Sequence, residues 1–141
     1  MYPTDLIASM EGEMTSQGFK ALKTAAEVNT YFGNHQGVSL LFINSVCGCA
    51  GIGARAGVIH ALQTSAYQAD HLVTVFAGVD AEAFEVVQEY IKPYPLSSPA
   101  IALIKDNSVV HFIERHQIKG QSDEYIAAIL QQALGEYSAK K

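Results

Sequence analysis

Two short apolar runs on either side of a helix-like stretch constrain the fold of this chain more than any other feature. Val38–Asn44 and residues 71–77 are each apolar and bounded by polar or turn-forming residues, a pattern typical of strands buried on both faces. Residues 50–67 lie between them, are rich in alanine and carry an apolar face, so they predict a helix that depends on tertiary packing. Strands alternating with helices in this way indicate an α/β fold.

The remaining segments extend this core at both ends. Helical spacing and capping patterns predict further helices at residues 3–14, 25–32, 81–92 and 123–134. Residues 100–104 and 109–113 predict two antiparallel strands, because Asp106-Asn107 between them suits a hairpin turn. We therefore expect one domain over residues 1–141, with a helical extension at about residues 3–16. The predicted fold is thioredoxin-like, with a central mixed sheet, a C-terminal antiparallel hairpin and helices on both faces.

Composition and charge exclude several classes of function. The 141 residues are 49% hydrophobic and 16% charged, as in ordinary globular proteins. The net charge is -5 and the nine Lys and Arg residues are scattered, which argues against nucleic acid as a partner. No apolar run approaches the roughly 18 to 20 residues of a membrane helix, and Asp5, Glu11 and Glu13 stand where a signal peptide would be basic and then apolar. We expect a soluble, cytoplasmic protein that does not bind a membrane.

The two cysteines, Cys47 and Cys49, follow the first buried strand directly and precede the central helix. A disulfide across so short a gap would hardly restrain the unfolded chain, so a catalytic, redox-sensing or metal-binding pair is expected instead. Unpaired N–H groups at the helix start favour the thiolate of Cys47, the attacking species in disulfide exchange. Cys49 could then resolve a mixed disulfide at Cys47. Because only Gly48 separates the two cysteines, a Cys47–Cys49 disulfide should be strained. The strain raises its reduction potential, so we expect an oxidising centre.

Three other positions are candidates for binding a substrate. A cis bond between Ser98 and Pro99 would present the backbone of Ser98 to whatever lies over the cysteines. Arg55 and the Arg115-His116 pair could lie near the same edge and attract a carboxylate-bearing thiol. The alternative is that these basic residues are solvated or pair with the glutamates Glu82, Glu85 and Glu114.

Two simpler interpretations of the cysteine pair remain. Free cysteines often behave as small buried hydrophobic residues. Together with His60, His71 or His116, the two thiols could also formally supply a metal site, although none of these histidines has the close pair spacing typical of a zinc module. We therefore expect no bound metal.

Apolar alternation also predicts the core and leaves the oligomeric state open. The predicted core positions on the strands are Leu40, Phe42, Val73, Val75, Ile101, Leu103, Val110 and Phe112. Tyr2, Pro3 and Leu6 could pack over the sheet or against a second subunit, so a homodimer remains an option.

Four stretches resemble the bacilliredoxin family. They are residues 44–50 (NSVCGCA), 75–78 (VFAG), 97–99 (SSP) and 110–116 (VHFIERH), and the likeness extends over nearly the whole chain. The family has a thioredoxin-like fold with a Cys-Gly-Cys centre and acts on mixed disulfides between proteins and bacillithiol, a low-molecular-weight thiol. The Val-Cys-Gly-Cys stretch carries the specific part of the likeness.

The resemblance implies roles for individual residues. Cys47 would attack the mixed disulfide and take up bacillithiol, Cys49 would resolve it, and Pro99 would face the cysteines. Bacillithiol would be a co-substrate, S-bacillithiolated proteins the partners, and no cofactor would be bound. A disulfide isomerase, or a redox-sensing or metal-binding module using the same thiols, are the alternatives. Gly51-Ile52-Gly53 departs from the less glycine-rich helix start expected there.

Overall fold

The computed structural model describes residues 3–34, 37–46, 48–92, 94 and 97–140, with only the backbone of residues 34, 48–52 and 140. Its helices are α1 (Thr4–Thr15), α2 (Ala25–Asn34), α3 (Gly48–Thr64), α4 (Ala81–Ile91), α5 (Arg115–Ile118) and α6 (Asp123–Tyr137). Its strands are β1 (Lys20–Ala21), β2 (Val38–Asn44), β3 (Tyr67–Gln68), β4 (His71–Phe76), β5 (Ala100–Lys105), β6 (Ser108–Ile113) and β7 (Ala139–Lys140).

Five strands form a mixed sheet in the order β1-β4-β2-β5-β6. The central strand β2 runs parallel to β4, with Ser39 opposite His71, and antiparallel to β5, with Ile43 opposite Ala100. β5 and β6 form the predicted antiparallel hairpin, and Asp106 and Asn107 at its turn both adopt positive φ angles. The mixed sheet and its C-terminal hairpin are therefore confirmed.

Helices cover both faces of this sheet. Every residue of β2 is buried, because apolar clusters lie on each side of it. The cluster on one face includes residues of α1, α3 and α6, represented by Met14, Val58 and Leu130. The cluster on the other face includes residues of α2 and α4, represented by Val28 and Val87. Burial of these apolar faces, more than helix propensity, holds the helices in place.

The central helix α3 packs closely on α6 at its glycines. A Cβ atom at Gly57 would lie 2.7 Å from Cγ2 of Ile126 and 3.2 Å from the carbonyl oxygen of Asp123. At Gly53 the nearest atom would be the carbonyl oxygen of Gln121, at 3.5 Å. The glycines that weaken the intrinsic helicity of this segment thus allow the two helices to approach each other.

Several details differ from the sequence-based expectation. α3 begins at Gly48 and ends at Thr64, so Tyr67 lies in β3, which pairs with β7 as a small separate sheet. β1 and α5 were also not predicted from the sequence. Val110 and Phe112 are only partly buried, because β6 is an edge strand of the main sheet.

Exposed residues at and just before the start of α1 bear on the question of a second subunit. The side chain of Leu6 is 43% exposed and Pro3 is also exposed, whereas Tyr2 lies outside the described residues.

Among the described residues, no helix combines the length and apolar character that crossing a membrane requires.

Candidate active site

The junction between β2 and α3, residues 44–48, carries the first cysteine. Cys47 lies outside the described residues, and Cys49 is described only by its backbone, which belongs to the first turn of α3. The residues that lead into the junction are buried: Asn44 is fully inaccessible and Ser45 is 7% exposed. The first turn of a helix leaves backbone N–H groups without intrahelical partners, and the preference for a thiolate that the sequence suggested at this junction stays a prediction.

The side chain of Asn44 ties the end of β2 to its neighbours. Its Oδ1 accepts hydrogen bonds from the backbone N–H of Ser45 (2.9 Å) and from Nη1 of Arg55 (3.1 Å). Its Nδ2 donates to the carbonyl oxygen of Met10 in α1, at 3.3 Å. The backbone carbonyl of Asn44 accepts from the N–H of Ala77 (3.0 Å), just after β4. The β2 end of the junction is therefore held by α1, α3 and the loop that follows β4.

Arg55 is buried beneath this junction, with 4% of the residue exposed. Its Nη1 also donates to the carbonyl oxygen of Ser45, at 2.9 Å. Its Nε lies 2.6 Å from Oε2 of Glu13, an ion pair that is too poorly aligned for a hydrogen bond. The sequence suggested an edge position, or a partner among three other glutamates, and the structure places this side chain in the interior with Glu13. A direct contact between Arg55 and a substrate stays a prediction.

The loop before β5 brings Pro99 to the same end of the sheet. The Ser98–Pro99 peptide bond is cis, as hypothesised from the sequence, and Pro99 is buried. Because Ala100 pairs with Ile43 in the antiparallel register, Pro99 lies beside the end of β2, where the junction begins. The predicted contact of Ser98 and Pro99 with a substrate is not tested by this arrangement, but their position agrees with it.

A cleft of about 290 Å³ adjoins this loop and contains the second predicted arginine. The residues that line this α5 cleft are Ser97, Glu114, Arg115, His116 and Lys119. The backbone N–H of Arg115 donates to Oγ of Ser97, at 3.2 Å, which joins the start of α5 to the loop that carries Pro99. Arg115 and Lys119 bring positive charges to the cleft and Glu114 brings a negative one, so the cleft suits a ligand with carboxylate groups.

Asp80 is a titratable group at the same end of the sheet. It follows the loop that is hydrogen-bonded to the end of β2, and its Oδ2 is buried without a hydrogen-bond partner among the described residues. Burial raises the pKa of Asp80, the nearby Lys23 opposes that increase, and Glu11 and Glu27 add to it. Lys23 itself forms an ion pair with Glu11 at 2.9 Å, and its pKa is raised chiefly by this hydrogen bond.

The histidines of the hypothetical metal site are distributed over different elements. His71 begins β4 and lies opposite Ser39, at the end of the sheet away from the junction. His60 lies three turns along α3 and is 3.8 Å from Asp123, whereas His116 lies in the α5 cleft. Within the described part of the chain, no group of three or more His, Cys, Asp or Glu residues could hold a metal ion. The position of His71 argues against its binding a metal together with the cysteines.

Comparison with known proteins identifies the family. A family model described as disulphide isomerase matches residues 2–138. A bacilliredoxin of Cytophaga hutchinsonii is 48% identical over 136 residues, which cover 96% of this chain and 99% of the relative. The chain belongs to the bacilliredoxin family. A second bacilliredoxin, from Shouchella clausii, is 45% identical over 139 residues, covering 99% of this chain and 95% of that relative.

Solved structures show the fold that this bacilliredoxin-family chain shares. Mitochondrial thioredoxin 3 from Saccharomyces cerevisiae, in its oxidised form, gives a TM-score of 0.54 at 11% identity, covering 88% of this chain and 98% of the thioredoxin. Thioredoxin O2 from Arabidopsis thaliana gives 0.53 at 13% identity, covering 84% and 96%. The predicted thioredoxin-like fold is confirmed.

Sequence reasoning missed some residues of the site. Asn44 carried a usable signal, because it is an amide residue directly after the apolar run of residues 40–43 and shortly before the cysteine motif. Glu114 and Gln117 form a reciprocal capping box, a pattern that could have revealed α5. Ser97 lies in a stretch that carries the family resemblance, but nothing local pointed to its contact with Arg115, and Glu13 carried no local signal because its partner Arg55 is distant in sequence.

Proposed function

We propose that this chain removes bacillithiol from protein mixed disulfides by thiol–disulfide exchange. The observation that carries the proposal is a Cys-Gly-Cys motif at the β2–α3 junction of a thioredoxin fold, in a chain 48% identical to a bacilliredoxin. Family membership supports a thiol redox protein. The roles of Cys47 and Cys49, the carrier thiol and the direction of the reaction are the proposed part.

Two exchange steps account for the chemistry. The Cys47 thiolate attacks the bacillithiol sulfur, the new disulfide forms at Cys47, and the protein thiolate leaves with the bonding electron pair and is protonated. The Cys49 thiolate then attacks Cys47 and releases bacillithiol as its thiolate. The Cys47–Cys49 pair is oxidised by two electrons and the mixed disulfide is reduced by two. A thiol reductant must restore the pair before the next turnover, and a reducing cytoplasm would supply one.

Intact-mass measurement tests the first step. Reduced Cys49→Ala protein is incubated separately with model proteins that carry bacillithiol or glutathione mixed disulfides. We expect a bacillithiol-sized adduct that is absent from the Cys47→Ala protein, since only the first thiol attacks. No adduct from either substrate would refute the proposal. Continued turnover of the wild-type protein with a recycling thiol would distinguish catalysis from a sensor that is modified once.

The α5 cleft is the proposed binding site for the acidic part of the carrier thiol. Arg115→Ala should raise KM for the bacillithiolated substrate several-fold and leave kcat nearly unchanged, because it removes a cation that contacts substrate in the ground state and the transition state alike. Lys105→Ala is the matched control, since it removes the same charge at the opposite end of β5. Equal KM values for both variants would exclude the cleft as the binding site.

Disulfide isomerisation is the second candidate, because the matching family model carries that description. An isomerase would use the Cys47 thiolate to attack a misplaced disulfide in a protein substrate. The substrate would be released from Cys47 once its own cysteines had formed a different disulfide. Reactivation of a scrambled-disulfide protein, together with an absence of bacillithiol adducts, would favour this activity. Failure to reactivate would leave the removal of small thiols as the better explanation.

A further inference from the structure

The buried guanidinium of Arg55 has no role in the exchange steps described above. Among the buried residues of the described chain, Arg55 is the only one that bears a permanent charge. A charge is expensive to remove from water unless it is paired and hydrogen-bonded. Its hydrogen-bond acceptors among the described residues are the side chain of Asn44 and the carbonyl of Ser45, and both belong to the segment that leads into Cys47.

The geometry of a helix explains how Arg55 reaches this segment. Side chains of an α-helix point back toward its N-terminus, so an arginine at the end of the second turn of α3 can contact residues that precede the helix. Its Nη1 lies 2.9 Å from the carbonyl oxygen of Ser45, and two residues of chain span at most about 7 Å. Because Ser45 precedes Cys47 by only two residues, we expect the positive charge of Arg55 to act on the Cys47 thiol through protein rather than bulk water.

Glu13 reaches the same guanidinium from α1. Its carboxylate is about half exposed, with 49% of the side chain accessible, and it contacts Nε of Arg55. Met10, one turn earlier in α1, accepts the hydrogen bond from the Asn44 amide. Two successive turns of the N-terminal helix thus hold the residues that position the junction.

We infer that Arg55 is a positioning residue for the redox centre and that Glu13 modulates its effect. The guanidinium fixes the Asn44–Ser45 backbone and stabilises the Cys47 thiolate, and the Glu13 carboxylate partly offsets this positive field. The inference rests on the proposed function in one respect, since it takes Cys47 to be the attacking thiol. It assigns to α1 a part in tuning the reactivity of that thiol.

Other charged groups at this end of the sheet are common to every variant and cancel in the comparison. The β4–α4 loop contributes Asp80, and α1 also contributes Glu11, which is paired with Lys23. The α5 cleft contributes Glu114, Arg115, His116 and Lys119. The groups that Arg55 contacts at the end of β2 and just after it, the Asn44 amide and the Ser45 carbonyl, are uncharged. Differences between variants therefore report on the Arg55–Glu13 pair.

The test compares two variants that break the same ion pair from opposite sides. Arg55→Gln and Glu13→Gln are each made in the Cys49→Ala protein, and the pH dependence of Cys47 alkylation by iodoacetamide is followed by intact mass. Removing the cation should raise the apparent pKa of Cys47 by roughly half a unit to one unit. Removing the carboxylate should lower that pKa by a smaller amount, since Glu13 is half exposed. A purely structural role would not produce shifts of opposite sign.

Matched controls separate electrostatics from damage to the fold. Lys105→Gln and Glu89→Gln remove the same two charges from exposed positions away from the junction, so they should leave the pKa of Cys47 unchanged. Val87→Ala destabilises the apolar cluster on the α2 and α4 face without contacting the Arg55–Glu13 pair, so it should also leave the pKa of Cys47 unchanged. Arg55→Lys keeps the charge and should recover at least half of the shift.

The pKa measurements and the bacillithiol-adduct assay can fail independently of each other. Shifts of the same sign in both variants, or no shift in either, would overturn the inference even if bacillithiol transfer were observed. An ordinary pKa near 8.5 for Cys47 in the parent protein, with opposite shifts retained, would support the inference and count against the proposed function.

Discussion

The close contact of α3 with α6 at Gly57 leads to a prediction against the usual effect of alanine in a helix. Replacing an interior helical glycine by alanine ordinarily stabilises a protein by up to about 1 kcal/mol. At Gly57, however, the added Cβ would lie 2.7 Å from Cγ2 and 2.8 Å from Cβ of Ile126. These atoms sit at the branch point of a rigid side chain, and the third contact, at 3.2 Å, is the backbone carbonyl of Asp123. Neither neighbour can yield without moving α6.

The magnitude follows from the two opposing terms. Overpacking a core typically costs about 1–3 kcal/mol, and the branched side chain and backbone at this site place the cost in the upper half of that range. After subtracting the gain in helix propensity, we expect Gly57→Ala to lower the free energy of unfolding by about 1–2 kcal/mol. For a domain of this size the melting temperature should fall by roughly 3–6 °C.

Thermal and urea unfolding, followed by circular dichroism, measure this effect. Gly12→Ala in α1 is the matched control, because no atom of the described residues beyond the adjacent residues and backbone of its own helix lies within 4 Å of the added Cβ, and it should stabilise the protein by up to about 1 kcal/mol. If Gly57→Ala proved as stable as Gly12→Ala, the account of the α3–α6 contact would be wrong.

Three further predictions concern a turn, a buried carboxyl group and the amide at the junction. Asn107→Ala should lower the free energy of unfolding by about 1–2 kcal/mol, because Asn107 has a φ of 71°, whereas Asn107→Gly should not; urea titration decides between them. Asp80→Asn should raise the urea midpoint at pH 7, since burial raises the folded pKa of Asp80 and its ionised form costs stability. That gain should shrink as the pH falls through the ordinary Asp value of 3.8 and be nearly gone at about pH 3, where the carboxyl is largely protonated in both states; a full gain at that pH would contradict this cause. Asn44→Ala should cost about 2–4 kcal/mol, because it leaves the buried N–H of Ser45 and a donor of Arg55 without an acceptor; unfolding close to wild type would show that water replaces the amide.

The long elements of this fold could be predicted from the sequence because each carries either a continuous apolar run or a periodic apolar face that the fold buries. The predicted strand Val38–Asn44 has the observed bounds, and the predicted hairpin strands differ from β5 and β6 by one residue at an end. β1, by contrast, contains two residues and exists because it pairs with β4. An element of that length has no period to detect, so only the tertiary partner determines it.

The candidate site likewise has features that the sequence predicted and features that only distant partners determine. The position of Pro99 at the cysteine end of the sheet followed from the fold class, and the cis bond was suggested by it. The burial of Arg55 could not be predicted, because it depends on a carboxylate in a different helix and on a carbonyl at a strand end. Arginine is usually solvent-exposed, and no local pattern distinguishes the exception.

The central place of β2 limits where a change of redox state can be accommodated. β2 is hydrogen-bonded along its length to β4 and β5, and all of its residues are buried. Amide protons of such a strand exchange with solvent only through openings close to global unfolding, and a slip of one residue would turn every side chain to the wrong face. Hydrogen exchange in β2 should therefore be nearly the same in the oxidised and reduced protein. Any rearrangement that accompanies closure of the dithiol should appear instead in the first turn of α3.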